Sequence, residues 1–186
     1  MNSNFRLILG SNSPRRKELL SMLGFEFEVI PSDVAEDFHA DTDPYELPII
    51  LSERKAASFN LKKDEKVLTA DTVVILDNQI FNKPVDRQDA KRMLNLLSGK
   101  THDVVTGFCV RSISETLSQK DIARVTFRNL SDEEIDFYLD NQSPLDKAGA
   151  YGIQDWIGLS AVTGIQGSFY TVMGLPTHLV YDALKK

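Results

Sequence analysis

A six-residue loop near the amino terminus carries the first candidate site. Its sequence, residues 11–16, is Ser-Asn-Ser-Pro-Arg-Arg, and it follows the apolar run of residues 5–9 and a glycine. Ser13 before Pro14 predicts an N-cap followed by the first helical position. Free N–H groups, hydroxyls such as that of Ser11, and the guanidinium groups of Arg15 and Arg16 could together bind a phosphate chain. The alternative is that both arginines simply face water.

The second candidate is a carboxylate inside an apolar strand pattern, Asp71 in residues 69–75. Burying a carboxylate is costly unless it is paired, hydrogen-bonded or bound to a metal. Asp71 could therefore be a metal ligand or a base that polarises an attacking water, and the alternative is a satisfied aspartate at a strand end. Glu36, in the acidic loop of residues 32–43, is a weaker partner on local grounds because most loop glutamates are solvated.

Three lysines stand at the ends of predicted elements, Lys55, Lys83 and Lys147. Most lysines only keep a surface soluble. Lys83 and Lys147 lie between strand or turn signals, where a loop can direct a side chain into a cleft.

Other kinds of site find no support in the sequence. The three histidines have no second ligand at zinc-site spacing, and neither a Gly-x-Ser-x-Gly elbow nor a dinucleotide-binding fingerprint occurs. Trp156, Tyr151 and Tyr170 could stack on a base, although filling the core or the rim of a pocket is the more common role of such aromatics.

Composition limits the class of protein. A chain of 186 residues with 42% apolar residues is typical of one globular domain. The net charge of -6 argues against partners such as nucleic acid or an anionic membrane. The single cysteine, Cys109, lies in an apolar run that predicts a buried thiol and a reducing compartment. With no signal-peptide pattern and no apolar stretch of about 18 residues, we expect a cytoplasmic protein.

Strand and helix patterns alternate along the chain and predict one mixed α/β domain over residues 1–186, with a central cleft between two lobes. Predicted strands cover residues 5–9, 25–30, 67–76, 79–81, 104–113 and 122–128, and predicted helices cover residues 14–23, 43–59, 86–97, 132–140 and the segment after residue 176. Asp43 before Pro44 is the predicted N-cap of the second helix. Asp77 and Asn78 predict a hairpin turn, and Ser131 with Glu134 predicts a capping box.

Several strings, in order along nearly the whole chain, resemble the Maf family of nucleotide pyrophosphatases. They are Ser11-x-Ser13-Pro14-Arg15-Arg16, Ala70-Asp71-Thr72, Lys83-Pro84, Gly99-Lys100-x-His102-x-Val104-x-Thr106-Gly107, Asp146-Lys147-Ala148-Gly149-Ala150-Tyr151-Gly152-Ile153-Gln154, Gly167-Ser168 and Gly174-Leu175-Pro176. The resemblance implies hydrolysis of a nucleoside triphosphate to the monophosphate and pyrophosphate with a divalent cation, Mg²⁺ or Mn²⁺. It also implies a homodimer and a mixed α/β fold shared with inosine triphosphate pyrophosphatases.

The resemblance also assigns roles by position. Asp71 would be the catalytic base and Glu36 its partner at the metal site. The cations on the phosphate side would be Arg16, Lys55 and Lys83, of which Lys83 also counts among the catalytic residues. Ser11 and Ser13 belong to the phosphate-binding loop.

Base selection falls to three further positions, Arg15, Thr72 and Gln154. Gln154 is similar to the dTTP/UTP type rather than the 7-methyl-GTP type, and a neutral amide can pair with the carbonyl and N3–H of a pyrimidine. Thr171 and Trp156 depart from the family pattern and would alter the rim of the pocket. The competing hypotheses are a nucleotide-sensing regulator of septum formation that does not cleave its ligand, and the 7-methyl-GTP subtype.

Overall fold

The computed structural model describes residues 5–185 and shows a mixed α/β fold, as the sequence predicts. The strands are Arg6–Leu9 (β1), Phe27–Val29 (β2), Glu65–Leu76 (β3), Gln79–Phe81 (β4), Thr101–Arg111 (β5), Thr116–Phe127 (β6) and Val162–Gln166 (β7). They form a seven-stranded sheet in the order β2-β1-β3-β5-β6-β7, with β4 paired to β3.

Seven α-helices accompany these strands in the described part of the chain. They are Pro14–Met22 (α1), Leu47–Ala57 (α2), Arg87–Leu97 (α3), Asp132–Asn141 (α4), Trp156–Ala161 (α5), Phe169–Met173 (α6) and Thr177–Lys185 (α7), together with a short 3₁₀ helix, Ala148–Ala150. Within residues 5–185, none of these helices has the length and apolar character that crossing a bilayer requires.

The chain divides into two compact units. Three of the four boundaries fall inside the long strands β3, β5 and β6, and the fourth follows α6. Unit 1 contains the described residues up to Asp71, then Thr106–Asp121 and the segment from Gly174 onward, and unit 2 contains Thr72–Val105 and Ile122–Met173. The single domain with a central cleft stays a prediction.

Unit 1 is organised around parallel strand pairing. Leu7 of β1 pairs with Phe27 of β2 on one side and with Lys66 of β3 on the other. One apolar cluster of this unit contains Ile8, Val67, Ala56 and Cys109, so the predicted buried thiol is confirmed. Burial raises the pKa of the Cys109 thiol.

Unit 2 has its own core, built from strand residues such as Val74 and Val125 and from helix residues such as Leu94 and Tyr138. The predicted hairpin between β3 and β4 is confirmed. Asp77 and Asn78 adopt positive φ angles of 50° and 63°, which a two-residue turn of this kind needs at both positions.

Most of the predicted helix starts are confirmed, but that of α2 is wrong. Ser131 and Glu134 form the predicted capping box of α4. Asp43 instead caps the turn of residues 44–46 that leads directly into the helix, and its Oδ1 accepts from the Tyr45 N–H at 2.9 Å. Helix α2 begins at Leu47 because Pro48 lacks an N–H group and is tolerated only in the first turn of a helix.

Candidate active site

The loop of residues 11–16 adopts the predicted form. Ser13 is the N-cap of α1, and its Oγ accepts from the Arg16 N–H at 3.5 Å. The Ser11 Oγ accepts from the Ser13 N–H at 3.2 Å. Arg15 and Arg16 stand in the first turn of α1, which contains no acidic residue. Two cations therefore lie at the positive end of a helix dipole, an arrangement that a bound anion would stabilise.

The Arg16 side chain binds the protein rather than facing water. Its Nε donates to the Gly174 carbonyl at 2.8 Å, and its Nη1 donates to the Ala70 carbonyl at 2.8 Å and to the Ser11 Oγ at 3.3 Å. Burial lowers the pKa of Arg16, whereas the nearby Asp71 carboxylate raises it. The guanidinium group thus connects the start of α1 to the residue that precedes Asp71. The alternative of a solvent-facing side chain is wrong for Arg16.

Lys55 lies between two carboxylates and joins the remaining charged candidates of unit 1. Its Nζ donates to the Glu36 Oε1 and to the Asp71 Oδ1, both at 2.6 Å. The side chains of Lys55 and Asp71 are only 10% and 11% exposed, whereas that of Glu36 is 45% exposed. The ion pair explains how β3 tolerates a buried aspartate. We call Glu36, Lys55 and Asp71 the charged cluster.

A second buried contact holds α2 against β3 beside this ion pair. The Thr69 Oγ1 donates to the Ser52 carbonyl at 2.6 Å, and both residues are fully buried. Thr69 and Asp71 share one face of the strand, and Ser52 and Lys55 share one face of the helix, so the two contacts run side by side. Gly10 leaves room for this arrangement, because a Cβ there would lie 2.7 Å from the Thr69 methyl. Sequence reasoning missed Thr69, whose type and position are unremarkable for a strand.

The loop that carries Glu36 is held by a residue that sequence reasoning also missed. The Arg54 Nη1 lies 3.1 Å from the Ala35 carbonyl, 2.7 Å from the Asp37 carbonyl and 3.0 Å from the Asp37 Oδ1. The available signal was two adjacent cations in the last turn of α2, Arg54 and Lys55.

The carboxylates of the charged cluster suit a divalent cation of the magnesium type. Both direct an oxygen at one point, which the Lys55 ammonium occupies. Mg²⁺ is typically bound by one or two carboxylates together with substrate phosphates and water. Within residues 5–185 no group of three His, Cys, Asp or Glu side chains could hold a metal, so Glu36 and Asp71 would need such additional oxygens.

The other predicted site residues, Thr72, Lys83 and Gln154, belong to unit 2. Thr72 is partly buried in β3 directly after Asp71, and Lys83 is exposed between β4 and α3. Gln154 is exposed in the turn before α5. The roles of these three residues, and that of Arg15, stay predictions.

A network of neutral polar groups fixes the segment that carries Gln154. The His102 Nε2 and the Tyr151 Oη are 2.8 Å apart. The Tyr138 Oη accepts from the Gly152 N–H at 3.3 Å and donates to the Asp155 Oδ2 at 3.0 Å. We call His102, Tyr138 and Tyr151 the neutral cluster. Tyr151 lies on the amino-terminal side of Gln154, and Tyr138 binds the chain on both sides of it, at Gly152 and at Asp155.

Burial keeps the members of the neutral cluster uncharged. It lowers the pKa of His102 to about 4, against a smaller opposing effect of Asp103, and it raises the pKa values of Tyr138 and Tyr151. Tyr151 therefore belongs to the core, where it packs edge-on against Phe127 with ring centroids 4.9 Å apart. Base stacking by Tyr151 is excluded by this burial.

Of the other candidate residues in unit 2, Lys147 and Trp156 contact neighbouring side chains of the same unit. Lys147 forms ion pairs with Asp146 at 3.0 Å and with Asp155 at 3.5 Å. Trp156 packs against Phe137 with ring centroids 5.0 Å apart. Thr171 is fully buried in α6, and Tyr170 beside it is 41% exposed.

Comparisons with known proteins agree with the resemblance found in the sequence. The family model of the Maf-like protein matches residues 6–186. A dTTP/UTP pyrophosphatase of Porphyromonas gingivalis is 52% identical to the chain, covering 97% of it and 94% of the relative. Proteins of the same name from Phocaeicola vulgatus and Thermosipho africanus are each 48% identical, covering 98% and 96% of this chain and 96% and 92% of their own lengths.

Among solved structures, a HAM1 protein from Coxiella burnetii aligns with a TM-score of 0.55 and 12% identity, covering 97% of this chain and 98% of that one. This similarity concerns the fold alone, and it agrees with the predicted mixed α/β class. With a family model that matches almost the whole chain, and relatives about half identical over nearly full length, the chain belongs to the Maf-like protein family.

Proposed function

We propose that this protein hydrolyses nucleoside triphosphates, with dTTP and UTP as substrates, to the nucleoside monophosphate and pyrophosphate. The observation that carries the proposal is the buried Lys55 ammonium held between Glu36 and Asp71 at 2.6 Å from each. Relatives from three bacteria that carry the name dTTP/UTP pyrophosphatase support the same activity.

Local cations attract the substrate. The chain has a net charge of -6, so a triphosphate is bound only where positive groups are concentrated. Arg16 and the N–H groups at the start of α1 supply one such region, and Lys55 supplies another. On binding, the Lys55 ammonium exchanges a carboxylate partner for a phosphate oxygen. Ser11, Ser13 and Lys83 are the further proposed phosphate contacts.

Asp71 acts as the base. It orients a water molecule and accepts its proton as the water oxygen bonds to the α-phosphorus. The bond between that phosphorus and the oxygen bridging to the β-phosphorus breaks, and this oxygen leaves with pyrophosphate. Arg16, Lys55 and Lys83 stabilise the charge that develops on the leaving group.

Asp71 and Glu36 are the residues that would hold Mg²⁺ or Mn²⁺. When bound, such an ion neutralises phosphate charge and makes a coordinated water more acidic. The support for this assignment is that two carboxylates already converge on a single cation, the Lys55 ammonium.

Base selection is proposed for Gln154, with Arg15 and Thr72 as further contributors. The Gln154 amide offers both a donor and an acceptor, which match the carbonyl and N3–H of uracil or thymine. Its exposed position in a turn leaves the amide accessible to a ligand. We further propose a homodimer, which the family resemblance implies, and a cytoplasmic location, which the sequence patterns favour.

The test is product analysis in water enriched in ¹⁸O. The protein is incubated with Mg²⁺ or Mn²⁺ and each of dTTP, UTP, CTP, GTP and 7-methyl-GTP. We expect monophosphate and pyrophosphate from dTTP and UTP, with the label in the monophosphate because the water attacks the α-phosphorus. Label in pyrophosphate would contradict the site of attack. Binding without turnover would instead favour the nucleotide-sensing regulator, and a preference for 7-methyl-GTP would favour the other subtype.

A further inference from the structure

We propose that Arg54 is a positioning residue that holds the loop around Glu36 so that this carboxylate reaches Lys55. The inference rests on the proposed function, in which Glu36 takes part in catalysis. Arg54 takes no part in the proposed chemical step. The hydrogen bonds on which the inference rests all go from its guanidinium group to the loop.

The contacts of Arg54 enclose Glu36 on both sides. Its Nη1 lies within hydrogen-bond distance of the carbonyl of the preceding residue, Ala35, at 3.1 Å and of the following residue, Asp37, at 2.7 Å. One guanidinium group therefore binds the peptide group between Ala35 and Glu36 and the peptide group between Asp37 and the residue after it. Fixing the flanking backbone limits the directions in which the Glu36 side chain can point.

The loop has few other means of holding its shape. The described residues 30–46 form no helix or strand, and the residues around Glu36 from Ala35 to Ala40 are exposed. A loop with little buried surface opens readily unless specific bonds fix it. Arg54 supplies such bonds from a regular helix, whose own position is set by the buried contact between Ser52 and Thr69.

Arg54 and Lys55 bind the loop in different ways. They are consecutive residues in the last turn of α2, so their side chains leave the helix about 100° apart. Lys55 binds the Glu36 carboxylate, and Arg54 binds the backbone on either side. The exposed ion pair with Asp37 contributes little by itself, because the Asp37 side chain is 83% exposed. The carbonyl contacts are the part that positions Glu36.

The test compares Arg54→Ala with Asp37→Ala, which removes the ion pair but keeps both carbonyls. Backbone ¹⁵N order parameters of residues 33–39, measured without nucleotide or metal, report the mobility of the loop directly. We expect Arg54→Ala to lower these order parameters from about 0.85 to below about 0.6 and to lower kcat/KM for UTP about tenfold, since small misplacements of reacting groups are costly. Asp37→Ala should leave the order parameters unchanged and change kcat/KM by less than about twofold, and Arg54→Lys should give intermediate values. Unchanged order parameters in Arg54→Ala would overturn the proposal.

A double-mutant cycle with Glu36→Gln separates this inference from the proposed function. If Arg54 acts through Glu36, then Arg54→Ala should have little further effect on kcat/KM once Glu36→Gln is present. Full additivity of the two losses would overturn the proposal. Normal activity of Glu36→Gln alone would contradict the role of Glu36 in the proposed function, and the order parameters would still decide whether Arg54 holds the loop.

Discussion

The charged cluster of unit 1 and the neutral cluster of unit 2 solve the same problem in opposite ways. Both bury polar side chains. In the charged cluster, Lys55 and Asp71 pair at 2.6 Å. In the neutral cluster, burial lowers the pKa of His102 to about 4, and its Nε2 lies 2.8 Å from the Tyr151 Oη. The first cluster retains groups that can exchange partners with a charged ligand, and the second is suited to hold a segment in place.

The difference predicts which properties a substitution changes in each cluster. A charged group that is paired in the interior becomes costly as soon as its partner is removed. A neutral hydrogen-bonded group stabilises the folded state by about 1 kcal/mol, and its burial becomes destabilising only when the group is forced to ionise. Variants of the charged cluster should therefore alter turnover, the free energy of unfolding or both. Variants of the neutral cluster should alter how the free energy of unfolding depends on pH.

The largest expected effect is that of Asp71→Asn on turnover. The amide cannot accept the proton of the attacking water, so kcat should fall about 10³-fold, within the range of lost general-base catalysis. The fold should persist, because the Asn oxygen can still accept from Lys55. Steady-state kinetics with UTP and thermal unfolding measure the two properties. Asp77→Asn, at a hairpin position whose side chain is 82% exposed, is the matched control. Activity of Asp71→Asn within a few-fold of that control would remove Asp71 from the mechanism.

A smaller effect is expected on stability when the cation of the charged cluster is removed. Lys55→Met removes the ammonium partner of the Asp71 carboxylate, whose side chain is only 11% exposed, and this should lower the free energy of unfolding by about 3–5 kcal/mol. Denaturant unfolding measures the change, and the double variant Lys55→Met with Asp71→Asn should recover much of it. Lys91→Met breaks the more exposed pair with Asp136 and should cost about 0.5 kcal/mol. Equal losses in the two single variants would contradict the distinction between buried and exposed pairs.

His102, in the neutral cluster, should make the free energy of unfolding of the protein depend on pH. Burial lowers its pKa from an ordinary value of 6.5 to about 4. The unfolded chain therefore takes up the proton first as the pH falls, so the stability is present above pH 6.5 and is lost toward pH 4. At about 1.4 kcal/mol per pH unit, the loss across this window is about 3 kcal/mol.

The measurement for His102 is denaturant unfolding at pH 7, 6, 5 and 4. His102→Gln keeps a hydrogen-bonding group and cannot titrate, so its stability should fall less steeply than that of the wild type by about 3 kcal/mol over the window. His39→Gln, at an exposed loop position, is the control for removing an imidazole. Parallel pH profiles of wild type and His102→Gln would show that His102 does not resist protonation in the folded state.

Sequence reasoning succeeded where the signal was local. Ser13 and Pro14 predict the start of α1, and Asp77 with Asn78 predicts a hairpin, because caps and tight turns depend on residues within a few positions of each other. The pairing of Asp71 follows from the same kind of signal, since a carboxylate inside an apolar strand pattern needs a partner, and its catalytic role stays a prediction. The start of α2 was misplaced because Asp43 and Pro48 each favour a helix start, and the missing N–H of Pro48 decided between them.

Contacts between distant residues could not be predicted in this way. Lys55 and Asp71 are 16 positions apart, and His102 and Tyr151 are 49 apart. Nothing local distinguishes Lys55 from a surface lysine, and nothing marks His102 as a partner of Tyr151. Arg54 was missed because its partners are backbone carbonyls, which every residue offers. The two adjacent cations at the end of α2 do not indicate which carbonyls they bind.

The smallest expected effect concerns Gln154, whose segment the neutral cluster holds. In Gln154→Glu the carboxylate loses the N–H donor that pairs with a uracil carbonyl, whereas it can still accept from the amino group of cytosine. We expect the ratio of kcat/KM for UTP to that for CTP to fall about tenfold or more, because a polar contact is left unpaired. Stability should be unchanged, since Gln154 is exposed. Gln166→Glu, an exposed position of β7, controls for the added negative charge. If the ratio is the same in both variants, Gln154 does not select the base, and the residues that hold its turn would then serve the fold alone.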